Sequence, residues 1–265
     1  MSSPYDGLLG GLSGVRTESQ ARWTIRPMSV PRLLPYGQTP FDKVKKRNGD
    51  SALLSFSAGR DALAAALALR EHYEEVVPFY MYLVPGLTFV EESLDYYERK
   101  LFGRPVLRVP HPSFLRWTKM HLFSDPVKAA IVDEREIPLL SFTDLEVMVR
   151  QEEDLDPDCL VATGVRAEDG PIRMMALRKY GPITLSKKKW HPIWDWSKTE
   201  VVHAIAKAGL KLSGEYAWMK RSFDGIHVGY LAPIKQNAPA DNQKILDWFP
   251  FVEAEVWRHE RAGLL

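Results

Sequence analysis

Residues 51–70 constrain the fold more than any other stretch of this chain. Ala52-Leu53-Leu54-Ser55-Phe56-Ser57 is a short, mostly apolar run bounded by polar residues, which predicts a buried strand. Ala58-Gly59-Arg60-Asp61 follows as a tight polar turn. Ala62 to Arg70 is then dense in Ala and Leu and has no β-branched residue. That composition has strong helix propensity, and its near-uniform apolarity predicts a helix covered on most sides.

The same alternation continues downstream. Val76 to Val84 predicts a second strand, Pro85-Gly86 a turn, and Thr88 with Glu91 a capping box that opens a helix running to Leu101 and stopping at Gly103. Val106 to Val109 is a third strand candidate. Residues 111–158 read as mainly helical, with Thr143 and Glu146 as another capping box, and the acidic tract 152–158 as a solvated connection rather than a metal site. Cys159 to Thr163 is a fourth strand, ended by Gly164 and followed by a loop carrying Arg166, Glu168, Asp169 and Arg173. Ser197 and Glu200 form a further capping box, whose helix runs through Val201 and Ile205 to Gly209. Strands alternating with capped helices predict an α/β fold with a mainly parallel sheet. Ligands bind such sheets at the carboxyl ends of the strands, which singles out the loops 57–62, 84–88 and 164–173.

Composition removes several classes of function. The 265 residues suit one large domain, or one domain with an extension. Lys and Arg total 35 against 34 acids, a net charge of +1, so overall charge selects neither nucleic acid nor an acidic partner. Cys159 is the single cysteine. An intrachain disulfide, a Cys-rich zinc site and an iron–sulfur cluster held by this chain alone are therefore not expected. The longest purely aliphatic stretch, Ala62 to Leu69, is far below the roughly 20 residues of a bilayer-spanning helix, and the first residues have no basic-then-apolar leader. A cytoplasmic location without membrane association is expected.

The chemistry concentrates in Ser55-Phe56-Ser57-Ala58-Gly59-Arg60-Asp61. Small residues between a strand and a helix let a phosphate approach the backbone. The free N–H groups and the positive end of the helix dipole favour an anion there. Ser57 adds a hydroxyl donor and Arg60 a cationic fork. The segment is neither a Walker loop nor the Rossmann GxGxxG, and taken alone it also fits an ordinary strand–helix turn. No HExxH or GxSxG is present. His191, His203 and His227 read as structural or surface residues, and Trp194 and Trp196 as packing anchors rather than stacking platforms. Of two basic runs, Lys43 to Arg47 fits a solvated loop and Lys187 to Lys189 a solvated face, or each a contact with phosphate or nucleic acid.

The segment resembles the PP-loop, S-G-G-x-D-S, of the adenine nucleotide α-hydrolase superfamily: Ser57, Gly59 and Asp61 match, Ala58 stands for the first Gly, and Ala62 for the final Ser. Three further stretches resemble the branch related to phosphoadenosine-phosphosulfate (PAPS) reductases, phage-encoded members included. Met81 to Glu92 resembles the second strand, turn and helix start, where D-T-G-x-x-F-x-E-T is frequent. Thr163 to Arg173 resembles T-G-[IL]-R-x-x-[ED]-S-x-x-R, and Pro192 to Val202 resembles P-[IL]-x-x-W-x-x-x-[ED]-V. The matches come in family order and span roughly residues 50–225.

The resemblance implies a five-stranded, mainly parallel sheet flanked by helices. Residues 1–50 would form an N-terminal extension, 51–225 the nucleotide-binding domain, and 226–265 a C-terminal segment packed on it. It implies an ATP-using enzyme that cleaves between the α- and β-phosphates and adenylates or activates an unidentified substrate. Nucleic-acid modification is left open, and a dimer fits without being specified. Ser55, Ser57, Ala58, Gly59, Arg60 and Asp61 would hold phosphate. Leu83 and Gly86 would line the adenine or ribose side, and Gly164, Arg166 and Arg173 would face the phosphates. Asp61 and Arg166 are the expected catalytic pair, with Asp61 meeting Mg²⁺ through water. The family's C-terminal E-C-G-[IL]-H motif has no thiol counterpart in Ser222 to His227. PAPS or adenylylsulfate reduction would therefore need a partner's thiol. The remaining alternative is a non-catalytic nucleotide-binding or assembly protein.

Overall fold

The computed structural model describes residues 40–263. The described residues begin with helix α1 (Phe41–Asn48), strand β1 (Ser51–Ser55) and helix α2 (Arg60–Arg70). Strand β2 (Glu75–Tyr82), helix α3 (Thr88–Tyr97) and strand β3 (Leu107–Pro110) complete its first half. Helices α4 (Pro112–Lys119), α5 (Pro126–Glu134) and α6 (Phe142–Glu152) make the helical middle. Strand β4 (Val161–Ala162), helix α7 (Pro171–Tyr180), strands β5 (Ile183–Thr184) and β6 (Lys189–Trp190) and helix α8 (Lys198–Lys207) follow. The chain closes with α9 (Tyr216–Met219), α10 (Val228–Asn237), α11 (Pro239–Trp248) and α12 (Glu253–Arg261).

The sheet has six strands in the order β3-β2-β1-β4-β6-β5. Five are parallel, and β5 joins antiparallel at the edge, Ile183 beside Trp190. The five-strand expectation thus misses β5, whose two half-buried residues are too short to show a hydrophobic period. β1 lies inside the sheet, Leu53 facing Val77 on one side and Val161 on the other. Its central residues Ala52, Leu53 and Leu54 are wholly buried.

Helix α2 buries eight consecutive residues, Ala62 to Leu69, because it lies between the sheet and α8. Alanine on most of that surface lets both neighbours come close. A smaller apolar layer, Leu53, Val77, Phe79, Val109, Val149, Cys159 and Val161, forms a second cluster. Helix α1 packs on the main core through Phe41 and Val44, and the Phe41 ring meets the fully buried Trp190 edge-on at 5.1 Å. The basic run 43–47 is therefore one turn and a half of helix rather than a loop.

Two expected helix caps are different in the structure. α3 has Leu87 at its N-cap without a side-chain cap, so Thr88 and Glu91 form no capping box. The box opening α6 is made by Ser141 and Asp144 rather than by Thr143 and Glu146. Glu146 is instead buried and paired with Lys189 at 3.0 Å. The Ser197–Glu200 box is present at α8. Among the described residues, no helix is long and apolar enough to cross a membrane.

Candidate phosphate site at the sheet switch point

The strand order reverses direction between β1 and β4: β2 and β3 continue from β1 to one side, while β4 lies on the other. A crevice opens at the carboxyl ends of strands at such a point. The loops that meet there are 56–59, between β1 and α2, and 163–166, after β4. Their contact is close because of Gly164. A Cβ on that residue would stand 2.7 Å from the Asp61 carbonyl carbon and 2.8 Å from the Ala62 nitrogen. Only a residue without a side chain allows the loop after β4 to touch the first turn of α2.

Phe56 continues the sheet by donating its N–H to the Phe79 carbonyl at 2.8 Å, and the chain then leaves the strand direction. Ala58 turns it at φ 55, the left-handed region that costs an alanine about 1–2 kcal/mol. Ala58 stays there with its methyl buried in the core. Among the described residues, nothing takes up the N–H groups of Ser57 and Ala58. Gly59 is N-cap of α2 in extended conformation without a side-chain cap.

Three hydroxyls surround this helix start. From the position a Cβ would take on Gly59, Ser222 Oγ lies 3.1 Å away, Ser57 Oγ 3.2 Å and the Tyr216 hydroxyl 3.7 Å. The Tyr216 oxygen accepts from the Arg60 N–H at 3.0 Å, and Ser57 Oγ accepts a long bond from the Gly59 N–H at 3.4 Å. Unpaired backbone N–H groups, hydroxyl donors and a helix N-terminus together form a site for an anion. Ser57 is the exposed member of the loop. Tyr216 and Ser222 did not emerge from the sequence as site residues, because more than 150 positions separate them from the loop. The one signal was that residues 222–227 stand in the region of a family motif.

Arg166 holds the back of the site together. Its side chain is 5% exposed, and its Nε donates to Asp61 Oδ1 at 2.9 Å. The remaining nitrogens reach Glu168 at 3.3 Å, Asp169 at 3.1 Å and the Trp196 carbonyl at 3.2 Å. The guanidinium is thus committed to three carboxylates. The Asp61 carboxylate is committed to Arg166, with the Arg60 Nε at 3.9 Å. Among the described residues no group of three or more His, Cys, Asp or Glu side chains is placed to hold a metal, and Asp61 Oδ1 is taken up by Arg166. The pair reads as a brace between the loop after β4 and helix α2.

The other expected residues are dispersed. Ser55 is half-buried within β1, and Arg173 is exposed and paired with Asp169 at 3.0 Å. Leu83 is buried in the main core. Gly86 is exposed at φ 69, and its carbonyl accepts from Lys244 at 2.7 Å. The N-terminus of α3, at the end of β2, already holds an anion of the chain's own. Asp241 accepts from the Thr88 N–H at 2.8 Å and the Phe89 N–H at 3.1 Å, and Lys244 braces it at 2.8 Å. Of the two helix N-termini that follow β1 and β2, the first thus meets a neutral hydroxyl, that of Tyr216, where the second meets a carboxylate. Cys159 lies before β4, at the amino edge of the sheet, 1% exposed, and burial pushes its thiol pKa up.

Beside the brace, His191 follows β6 with its Nδ1 2.7 Å from Thr163 Oγ1. Burial, with Lys189 and Arg173 nearby, lowers its pKa to about 4, so the ring is neutral at pH 7. Asp195 is the reverse case. Neither carboxylate oxygen has a hydrogen-bond partner among the described residues, and burial, with Glu200 nearby, raises its pKa to about 6.

No protein-family model matches the chain, and no curated protein matches it. Among solved structures it is similar to the U34-tRNA thiolase NcsA from Methanococcus maripaludis with its 4Fe–4S cluster, at 16% identity and a TM-score of 0.42. The similarity covers 84% of this chain and 76% of that one. The thiolase structure carries a cluster, whereas none held by this chain alone was expected from its single cysteine.

Proposed function

We propose that the protein binds the phosphates of an adenine nucleotide at the start of α2 and is an ATP-using enzyme of the PP-loop kind. The observation that carries this reading is the helix N-terminus at the switch point, which meets hydroxyls rather than a carboxylate. There the hydroxyls of Ser57, Tyr216 and Ser222 surround Gly59, and the N–H groups of Ser57 and Ala58 have no partner among the described residues. The reaction in view transfers AMP: a nucleophile of the acceptor bonds to the α-phosphorus, the bond to the bridging oxygen breaks, and pyrophosphate leaves. Phosphoryl-type chemistry asks a protein mainly for positioning and charge stabilisation. In this reading the loop and its hydroxyls grip the phosphates, and the Asp61–Arg166 brace fixes the loop without touching the reacting atoms.

Calorimetry against ATP, AMP and adenosine 3′,5′-bisphosphate, followed by an assay of pyrophosphate release, tests the reading. ATP is expected to bind most tightly. Replacing Ser57 and Ser222 by Ala is expected to weaken it at least tenfold, since hydrogen bonds to charged groups contribute about 1.5–3 kcal/mol each. Preference for the bisphosphate would favour the sulfonucleotide alternative, with a thiol from a partner because Cys159 is at the far edge of the sheet. Absence of any binding would overturn the nucleotide reading.

A further inference from the structure

The chain carries six basic and no acidic residues between 170 and 194. The fold sets part of this stretch beside helix α1. A groove of about 570 Å³ runs between α1 and the edge strand β5, lined by Lys43, Val44, Lys46, Leu160, Ile183 and Leu185. Its floor is apolar and its α1 rim is basic. Arg178, Lys179 and Tyr180 end α7 just before β5. Tyr180 lies three residues from Ile183, so their Cα atoms are within about 11 Å. Lys187 follows Leu185 by two residues, on the other side of the turn.

The ion pairs divide these cations into two sets. Arg47 and Lys188 both pair with Asp158, and Lys189 pairs with Glu146. Lys43, Lys46, Arg178 and Lys187 pair with no acid among the described residues. Tyr180 is 71% exposed, with Lys179 Nζ 5.0 Å from its ring centre. Helix α7 buries Leu177 alone and leaves Ile172 79% and Met175 65% exposed. Unpaired cations flanking an apolar floor, with an exposed aromatic ring at one end, suit a chain that alternates phosphates with flat bases. Cations track the backbone and the ring offers a stacking face.

We propose that the surface formed by α1, the end of α7 and the β5–β6 turn binds the backbone of a single-stranded nucleic acid, Lys43, Lys46, Arg178 and Lys187 taking phosphates and Tyr180 stacking on a base. This surface is separate from the phosphate site at α2 and does not depend on the nucleotide reading, so the Ser57→Ala variant leaves it intact.

Fluorescence anisotropy of the full chain with labelled 20-nucleotide single-stranded RNA and DNA, and a duplex of the same length, between 50 and 300 mM KCl, tests this. Single strands are expected to bind more tightly than the duplex. About four phosphate contacts give a slope of log K against log [KCl] near −3, at about −0.7 per contact. The triple variant Lys43→Glu, Lys46→Glu, Lys187→Glu alters exposed side chains only. It is expected to lose at least tenfold in affinity while keeping the wild-type Tm. Tyr180→Ala is expected to lose about tenfold with the slope unchanged, the stacking of one base. RNA bound in preference to DNA, or the reverse, identifies the source of the strand. The proposal is overturned by no binding at 50 mM KCl, by a triple variant that binds like wild type, by polyglutamate competing as well as polyuridylate, or by a preference for anionic vesicles.

Discussion

Arg166 and Asp61, 105 positions apart, meet through one guanidinium–carboxylate bond of 2.9 Å that ties the loop after β4 to the first turn of α2. Glu168 and Asp169 complete the shell around the same guanidinium. Removing a buried partner from such a cluster leaves carboxylates facing one another without compensation. Arg166→Ala is therefore expected to cost about 3–5 kcal/mol, measured by urea unfolding. Arg166→Lys is expected to recover less than half of that, because one ammonium cannot replace a planar fork that reaches three acids. A loss below 1 kcal/mol in Arg166→Ala would show that the cluster does not brace the loop.

Gly164 permits the contact that Arg166 secures. A methyl there meets backbone atoms of Asp61 and Ala62, which have no flexible end to move aside. Gly164→Ala is expected to cost about 1–3 kcal/mol and to reduce nucleotide affinity with it. Gly170 is the control: its φ of 164 is extended backbone and nothing lies within 4 Å of its added Cβ. Gly170→Ala is expected to remain within about 0.5 kcal/mol of wild type. Equal effects of the two substitutions in thermal unfolding would remove the steric account of Gly164.

Asp195 predicts a pH dependence of its own. Its folded-state pKa is raised to about 6, above the unfolded carboxylate value. The native state thus holds a proton that the unfolded chain releases, and stability falls as pH rises from about 4 to about 6. Asp195→Asn removes the burden of the charged form. Its Tm is expected to exceed that of wild type at pH 7.5 and to approach it at pH 4. A variant less stable than wild type at pH 7.5 would show that the carboxylate has a partner that stabilises its charge.

The sequence disclosed the parts of the fold whose causes are local. The strand–turn–helix at 51–70 was legible because apolar run, small-residue turn and alanine-rich helix follow one another without interruption. Ser197 and Glu200 were legible as a capping box because both partners lie in one turn. Thr88 and Glu91 show the same spacing, yet the N–H groups of that turn go to Asp241, a competitor no local pattern reveals. At α6 the cap is made by Ser141 and Asp144, two residues earlier than expected, and Glu146 is drawn into a buried pair with Lys189. In the candidate site, Ser57, Gly59 and Arg60 were found from the loop itself. Arg166 was found as a residue facing phosphate, but its surroundings are three acids that only the folded chain assembles. Tyr216 and Ser222 come from a part of the chain with no periodic signal.

The two helices that open toward the carboxyl edge borrow their first-turn partners from far downstream: Arg60 from Tyr216 and Thr88 from Asp241. Synthesis runs from the other end. When β1, α2, β2 and α3 have left the ribosome, both helix starts still lack the groups that complete them, and a nascent chain has the sheet's beginnings before it has a finished phosphate loop. Contacts of such sequence separation form late and slowly. The segment from Tyr216 onward thus acts as the closing step of folding, and a chain truncated before residue 216 would carry the loop in name but not in shape.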